Sequence, residues 1–302
     1  MDLFIDRLVN GLSDGAVYSL IALALVVIYR GTGHLNFGQG EMALFATYIA
    51  WTFMDKQADA ATLRVILAIA GAAAVAFVGG ALIEAVIIRP VAAKSELSVT
   101  VVTIGLFLLF NAAVGVVWDI NPHPFASLFP NGPDDYFTVL DSRVRWEKVG
   151  TVAVMLALAG VLFWMFRYTK IGLAMRATAN NQASAKLVGI RTGRVLMFGW
   201  GLAAAIGAVG GSLIAAGPSG LSPPMMFGIL LYASAAATLG GLDSPGGAVI
   251  AGLLIGVIQT MASGYIDWIG DELKFSLALV VMLVVLLFKP NGLFGSARVE
   301  RV

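Results

Sequence analysis

The chain has 302 residues, of which 59% are hydrophobic and only 12% charged, with a mean hydropathy of +0.89. Soluble domains carry roughly a quarter charged residues, and half that share cannot clothe a water-soluble surface of this size, so the composition is that of an integral membrane protein. The balance of 19 Lys+Arg against 18 Asp+Glu excludes a basic nucleic-acid binder. Without cysteine there are no disulfides, no thiol catalysis and no Cys-based metal site, and two histidines, His34 and His123, are too few for a His-rich metal centre.

A membrane helix needs roughly 20 mostly apolar residues. In chain order, residues 1–8 carry Asp2 and Asp6 rather than a basic start, and the first apolar stretch, 9–29, is long enough to span, so no cleavable signal is expected. Asp14 lies within that stretch between Ser13 and Gly15, where a packing role and a pathway role both stand open. A second stretch, 36–54, contains Glu41. Charge-free runs follow at 65–83, 97–118, 149–166, 195–242 and 244–266, and a last apolar segment covers 272–288. The 195–242 run is broken by Gly217-Pro218 and Pro223-Pro224 and reads as two spans, 195–216 and 225–242. Alternating ten-residue strand patterns are absent, so the expectation is an all-α polytopic bundle of about nine transmembrane helices, eight to ten, with discontinuous helices. All of 1–302 is read as one transmembrane domain.

Lys and Arg set the orientation. With the 167–194 loop in the cytoplasm, Arg167, Lys170, Arg176, Lys186, Arg191 and Arg194 lie inside, and alternating spans add Arg30, Arg89, Lys94, Lys289, Arg298 and Arg301. Asp134, Asp135, Asp141, Asp267, Asp271 and Glu272 fall on the other side, giving an external N-terminus and a cytoplasmic C-terminus. The external loop 119–148 is rich in Pro and aromatics; its second half, Tyr136 to Trp146, is expected to form a hairpin around Asp141-Ser142. The loop is read either as a plain exposed connection or as a docking ledge. In the cytoplasmic loop, GLAMRATANNQASAKLVGI (172–190) has helical spacing, with Met175, Ala179, Ala183 and Leu187 four apart on one face. It is too polar to insert and fits either an interfacial helix or a helix seated in a groove of a cytoplasmic partner.

Two glycine-rich turns sit at cytoplasmic ends of spans, LNFGQGE (35–41) and LGGLDSPGGAVIAG (239–252). Breaks at membrane depth survive only where protein or a water-filled cavity satisfies the backbone, and in transporters they tend to line the solute route. Asn36, Gln39 and Glu41 are therefore pathway candidates, against a purely structural reading in which glycine permits close packing and Asp243 caps the helix starting at Ser244. Glu84, five residues from Arg89, is expected to make a local polar contact. The sequence has no phosphate-cradling loop ending in Lys-Ser or Lys-Thr, no ladder of intramembrane ionisable residues and no plausible nucleophile–base or metal set. An enzyme is disfavoured, and uphill transport would need energy from another subunit.

YSLIALAL (18–25), LNFGQGE (35–41), GLAMRATANNQASAKLVGI (172–190), LGGLDSPGGAVIAG (239–252) and FKPNGLFG (288–295) occur in the order found in the Liv-type permease family, which this chain resembles over essentially its whole length. The resemblance implies the permease subunit of a branched-chain amino-acid ABC importer in the bacterial inner membrane. It implies a second, LivM-like permease subunit, two cytoplasmic ATPases that bind ATP and Mg, and a periplasmic substrate-binding protein, with no cofactor in this chain. Residues 172–190 would be the coupling helix, with Arg176, Asn180, Ala183, Ser184, Ala185 and Gly189 contacting an ATPase. ABC permeases often show Glu-Ala-Ala, three residues, then Gly at this point; here Ala183 stands where the Glu would be, while the small residues and Gly189 are kept. Permeases for urea, short amides or other amino acids are the alternative, and a stand-alone channel for a small neutral solute a further one.

Overall fold

The apolar segments fold as helices in the computed structural model, which describes residues 2–57, 59–92, 95–139, 142–218, 220–266, 270 and 273–295. In chain order these are α1 (Asp2–Thr32), α2 (Gln39–Phe53), α3 (Thr62–Ile83), a π-helical turn (Glu84–Ile88) running into α4 (Arg89–Ala92), α5 (Glu96–Val117), α6 (Trp146–Tyr168), α7 (Lys170–Asn180), α8 (Gln182–Leu187), α9 (Thr192–Ala215), α10 (Met225–Gly240), α11 (Pro245–Tyr265) and α12 (Lys274–Phe288). Among the described residues, six helical stretches are long and apolar enough to cross a membrane: Leu3–Thr32, Thr62–Ala92, Leu97–Val117, Trp146–Tyr168, Thr192–Ala215 and Pro245–Tyr265. α2, α10 and α12 have 15, 16 and 15 residues. At about 1.5 Å per residue they fall short of a hydrocarbon core of roughly 30 Å. Lys94, Asp141, Asp267, Asp271, Glu272, Arg298 and Arg301, used to orient the chain, lie outside the described residues.

α1 is the axis of the bundle. Its most apolar window is 89% buried, against 22% for α3 and α5, whose outer faces are exposed. It packs most extensively on α11, then on α9, α10 and α6. The α1–α11 crossing is made by small residues four apart on both helices, Gly11, Gly15 and Ser19 against Gly252 and Gly256. A Cβ on Gly15 would lie 2.7 Å from the Leu253 Cα, and one on Gly11 2.8 Å from the Val257 Cα, so the backbones touch. The Ser19 hydroxyl sits 2.7 Å from the Gly15 carbonyl and 2.8 Å from that of Val249, sharing its proton across the crossing. α9 meets α3 in the same way, with Gly80 against the Trp200 carbonyl and Gly201 against that of Phe77.

The 119–148 loop is not a plain exposed connection. Its first half folds back on the bundle, burying Phe125 and Ala126. Trp51 Nε1 donates to the Pro124 carbonyl at 3.1 Å, His123 stacks on Trp51 at 4.2 Å, and His123 and Leu221 exchange backbone hydrogen bonds of 2.8 and 2.9 Å. Its second half is the expected hairpin, β1 (Tyr136–Val139) antiparallel to β2 (Ser142–Arg145), with Tyr136 opposite Arg145. Trp51→Leu removes both the indole donor and the stacking face. Chymotryptic cleavage after Phe125 is expected to accelerate about tenfold, the ratio produced by losing roughly 1.4 kcal/mol of closure; an unchanged rate would show that Trp51 does not pin this segment.

Candidate functional site

The break before α2 is satisfied internally. The Gly38 N–H donates to Asn36 Oδ1 at 3.0 Å, Asn36 Nδ2 lies 3.4 Å from Gln39 Oε1, and Gln39 Nε2 donates to the Ala203 carbonyl of α9 at 3.0 Å. Asn36 and Gln39 are thus brought together, fully buried, with their polar atoms holding backbone. Glu41, also buried, turns away toward α5, where Asn111 Nδ2 donates to it at 3.1 Å. The second glycine-rich turn is built from both sides. The Ser244 hydroxyl, rather than Asp243, caps α11 by accepting from the Gly247 N–H at 3.1 Å, and Pro245 opens the helix. Residues 293–294 fold under it, with Leu293 N–H bonded to the Leu239 carbonyl at 2.7 Å and Phe294 N–H to that of Gly240 at 3.1 Å.

Glu84 and Arg89 meet because the π-helical turn brings residues five apart onto one face. Arg89 Nε donates to Glu84 at 3.1 Å, and its Nη2 reaches the Gly193 carbonyl at 2.8 Å, tying α3 to the start of α9. Arg30 lies over the Phe166 ring at 5.3 Å. It borders a narrow cleft between α1, α6, α7 and α9 that includes Met175, Gly199 and Trp200.

The 172–190 segment is two helices, not one. Asn181 leaves the helical region, accepts from the Ser184 N–H at 2.9 Å and starts α8 as its cap. The four-apart stripe therefore does not survive: Met175 is buried, whereas Ala183 and Leu187 are exposed and Ala185 is the buried residue of α8. Gly189 ends α8 at φ +86°, with Gly189 N–H bonded to the Lys186 carbonyl and Ile190 N–H to that of Ala185, both 3.0 Å. This is a Schellman closure, which favours glycine at that position. α7 packs on α6, α1 and α9, and Gln182 Nε2 donates to the Gly31 carbonyl at the end of α1 at 3.0 Å. Arg176, Asn180, Ala183 and Ser184 face outward, and beyond them Leu187 and Val188 are 88% and 77% exposed. Both are aliphatic side chains left uncovered at the end of a polar helix.

One cluster was not singled out from sequence beyond Asp14. Tyr18, one helical turn further along α1, accepts from Gln259 Nε2 of α11 at 2.6 Å and stacks on Tyr232 of α10 at 4.8 Å. The charge partners of Asp14 are Lys148 and Lys274. The signal available was weak: an Asp and a Tyr four apart in an otherwise apolar span, and one Gln in the apolar run 244–266.

Apolar helices crossing through glycine, internally satisfied breaks and an exposed two-helix appendage make an all-α polytopic bundle of the kind that sits in a membrane. The family described as branched-chain amino acid transport system, permease component, matches residues 7–288, and the chain belongs to it. It is a family of ABC permeases, transport subunits rather than enzymes. The high-affinity branched-chain amino acid transport system permease protein LivH of Salmonella typhimurium is 30% identical over 99% of this chain and 98% of its own. BraD of Pseudomonas aeruginosa, a permease protein of the same description, is 28% identical over 99% and 98%. The ribose import permease protein RbsC of Escherichia coli is 23% identical over 93% of this chain and 85% of its own.

Proposed function

We propose that this chain is the permease subunit of an ABC importer that carries leucine, isoleucine and valine across the bacterial inner membrane. The substrate follows from near full-length similarity to permease proteins named for branched-chain amino acids. The whole chain acts as one permease domain beside a second, LivM-like permease subunit. Two cytoplasmic ATPases supply energy from ATP and Mg, and a periplasmic binding protein delivers solute. The N-terminus is external and the C-terminus cytoplasmic, since the contacts Gln182–Gly31 and Arg89–Gly193 gather Arg30, Arg89, Arg176, Lys186, Arg191 and Arg194 at one end of the bundle. Asn36 and Gln39 hold the broken helix that walls the route, and Glu41 faces its α5 side.

The observation that carries the coupling role is the outward face of α7–α8, joined to the axial helix by Gln182. A partner that pushes on Ala183, Ser184, Leu187 or Val188 moves the inner end of α1. Arg176, Asn180, Ala183 and Ser184 touch the ATPase, while Ala185 and Gly189 shape the segment from within. The test is a mild-detergent pull-down of the tagged wild-type chain and of its Ala183→Trp variant, with the retained proteins identified by mass spectrometry. The wild type should bring down two ATPases and a second permease; Ala183→Trp should keep the second permease and lose ATPase at least tenfold, about the cost of one blocked contact. Full ATPase retention by Ala183→Trp would sink the coupling role. Recovery of the wild-type chain alone, from membranes containing the ATPases, would favour a stand-alone facilitator.

A further inference from the structure

We propose that Arg143 and Arg145 of the β1–β2 hairpin, with the α6 face that continues from them, bind an acidic phospholipid in the leaflet opposite the α7–α8 appendage. The site goes beyond the transport reading and needs neither its substrate nor its partners. Its depth follows from the chain itself. β2 (Ser142–Arg145) runs into α6 (Trp146–Tyr168) without a linker, and α6 carries exposed aromatic residues at both ends, Trp146 at one and Trp164 and Tyr168 at the other. Aromatic side chains placed in this way mark the two membrane–water interfaces. Between Trp146 and Tyr168 the helix rises about 33 Å, close to a hydrocarbon core of roughly 30 Å. The two arginines just before Trp146 therefore sit at the level of the lipid phosphates.

The inner face of the hairpin fixes it at that level. Val144 is buried, its cross-strand neighbour is Phe137, and the Phe137 ring meets that of Trp146 at 4.7 Å. The two-residue period of a strand then turns Arg143 and Arg145 outward together, about 7 Å apart along the strand. Arg143 lies over the Tyr136 ring at 5.0 Å, which holds its guanidinium near this face. Among the described residues neither guanidinium lies within ion-pair distance of a carboxylate. Asp135 instead accepts from the Gly132 N–H at 2.8 Å, and Glu147 has Lys148 as its main charge partner and Arg145 as a lesser one. Two arginine forks side by side suit a phosphate, which each can meet with two parallel hydrogen bonds. The ammonium of a zwitterionic headgroup would be repelled by the same pair, so the fit is to an acidic one. Below the arginines, α6 leaves Trp146, Val149, Ala153 and Leu156 exposed along one side, an apolar track for an acyl chain. A ligand that is anionic at the phosphate level and aliphatic beneath it is a phospholipid; free phosphate has no use for the track.

The chain contains no cysteine, so Val149→Cys gives the full chain a single thiol at an exposed position just below the arginines. Labelled with a fluorophore, in bilayers of phosphatidylethanolamine and phosphatidylglycerol, it senses its neighbours through quenching by brominated acyl chains carried on one lipid or the other. Brominated phosphatidylglycerol is expected to quench with a relative association about fivefold or more above brominated phosphatidylethanolamine, the ratio that one arginine near an anionic headgroup supplies. Adding Arg143→Gln/Arg145→Gln should bring the ratio to about one, and Arg143→Lys/Arg145→Lys should keep a clear preference. Both pairs should retain the size-exclusion profile and thermal midpoint of the parent, since neither side chain belongs to the packed face of the hairpin. The same label at Leu108→Cys, exposed on α5, should show no preference. Equal quenching by the two lipids, an unchanged ratio in the glutamine pair, or the same preference at Leu108 overturns the site. Abolition of the preference by added inorganic phosphate also overturns it, in favour of a phosphate site. Loss of a soluble binding protein from the glutamine pair at an unchanged lipid ratio would assign the arginines to an acidic protein face instead. None of these readouts depends on transport.

Discussion

Gly15→Val and Gly256→Val should each prevent the chain from purifying as a single folded species, whereas Gly160→Val should leave it intact. The valine at 15 would drive its Cβ to 2.7 Å from the Leu253 Cα, and that at 256 into the backbone of Gly11 and Gly15. Neither contact is with a flexible side-chain end, so no rotamer change relieves it, and the helices must separate. Separation breaks the Ser19–Val249 contact and opens the most extensive interface in the bundle. Overpacking of this kind costs on the order of 3 kcal/mol or more when the backbone cannot retreat. Gly160 on α6 has nothing within 4 Å of its Cβ position, and a substitution there should stay within about 0.5 kcal/mol. Thermal unfolding midpoints and size-exclusion profiles in detergent distinguish the cases. A Gly256→Val protein with the wild-type midpoint would mean that the α1–α11 crossing is not in close contact.

Arg89→Met should be more damaging than Glu84→Gln, and the double replacement Glu84→Met/Arg89→Met less damaging than Arg89→Met alone. Glu84 is 1% exposed and Arg89 44%, so removing the arginine strands the carboxylate in the bundle, whereas neutralising the glutamate leaves a cation that can reach water. Breaking a buried pair from one side costs about 3–5 kcal/mol, and the exposure of Arg89 places this one toward the lower figure. Arg89 also holds the Gly193 carbonyl, so its loss loosens the start of α9 as well. Removing both charges abolishes the stranded group and should recover most of the stability. Equal midpoints for Arg89→Met and the double variant would show that Glu84 carries no uncompensated charge once its partner is gone.

The helical bundle was legible because the length of an apolar run is a property of composition, and Gly-Pro and Pro-Pro pairs mark where 195–242 must turn. The Glu84–Arg89 contact was legible because its partners are five residues apart, and the 136–145 hairpin because its strands are adjacent. The stripe through Met175, Ala179, Ala183 and Leu187 failed at one residue. The side chain of Asn181 serves the next turn's N–H better as a cap than the helix would by continuing through it, and every position beyond it changes face. Ser244 was misjudged for the same reason: a hydroxyl one residue further on took the capping role assigned to Asp243. The burial of Phe125 depends on Trp51 catching the Pro124 carbonyl, a contact 73 residues apart in sequence. Tyr18 and Gln259 are 241 residues apart, and nothing local to either could announce the other.

The α1–α11 crossing also fixes a timetable for making the protein. The helix at the centre of the bundle is synthesised first, but the surface that covers Gly11, Gly15 and Ser19 emerges only with Gly252 and Gly256. At about 5–20 residues per second the interval is on the order of 10 to 50 s. Through that time the side of α1 that meets α11 presents a glycine face and a serine hydroxyl to lipid or to the insertion machinery, even though its other partners α6, α9 and α10 have already been made. A nascent chain halted before residue 245 should therefore hold α1 near the insertion machinery and release it once α11 has entered the membrane.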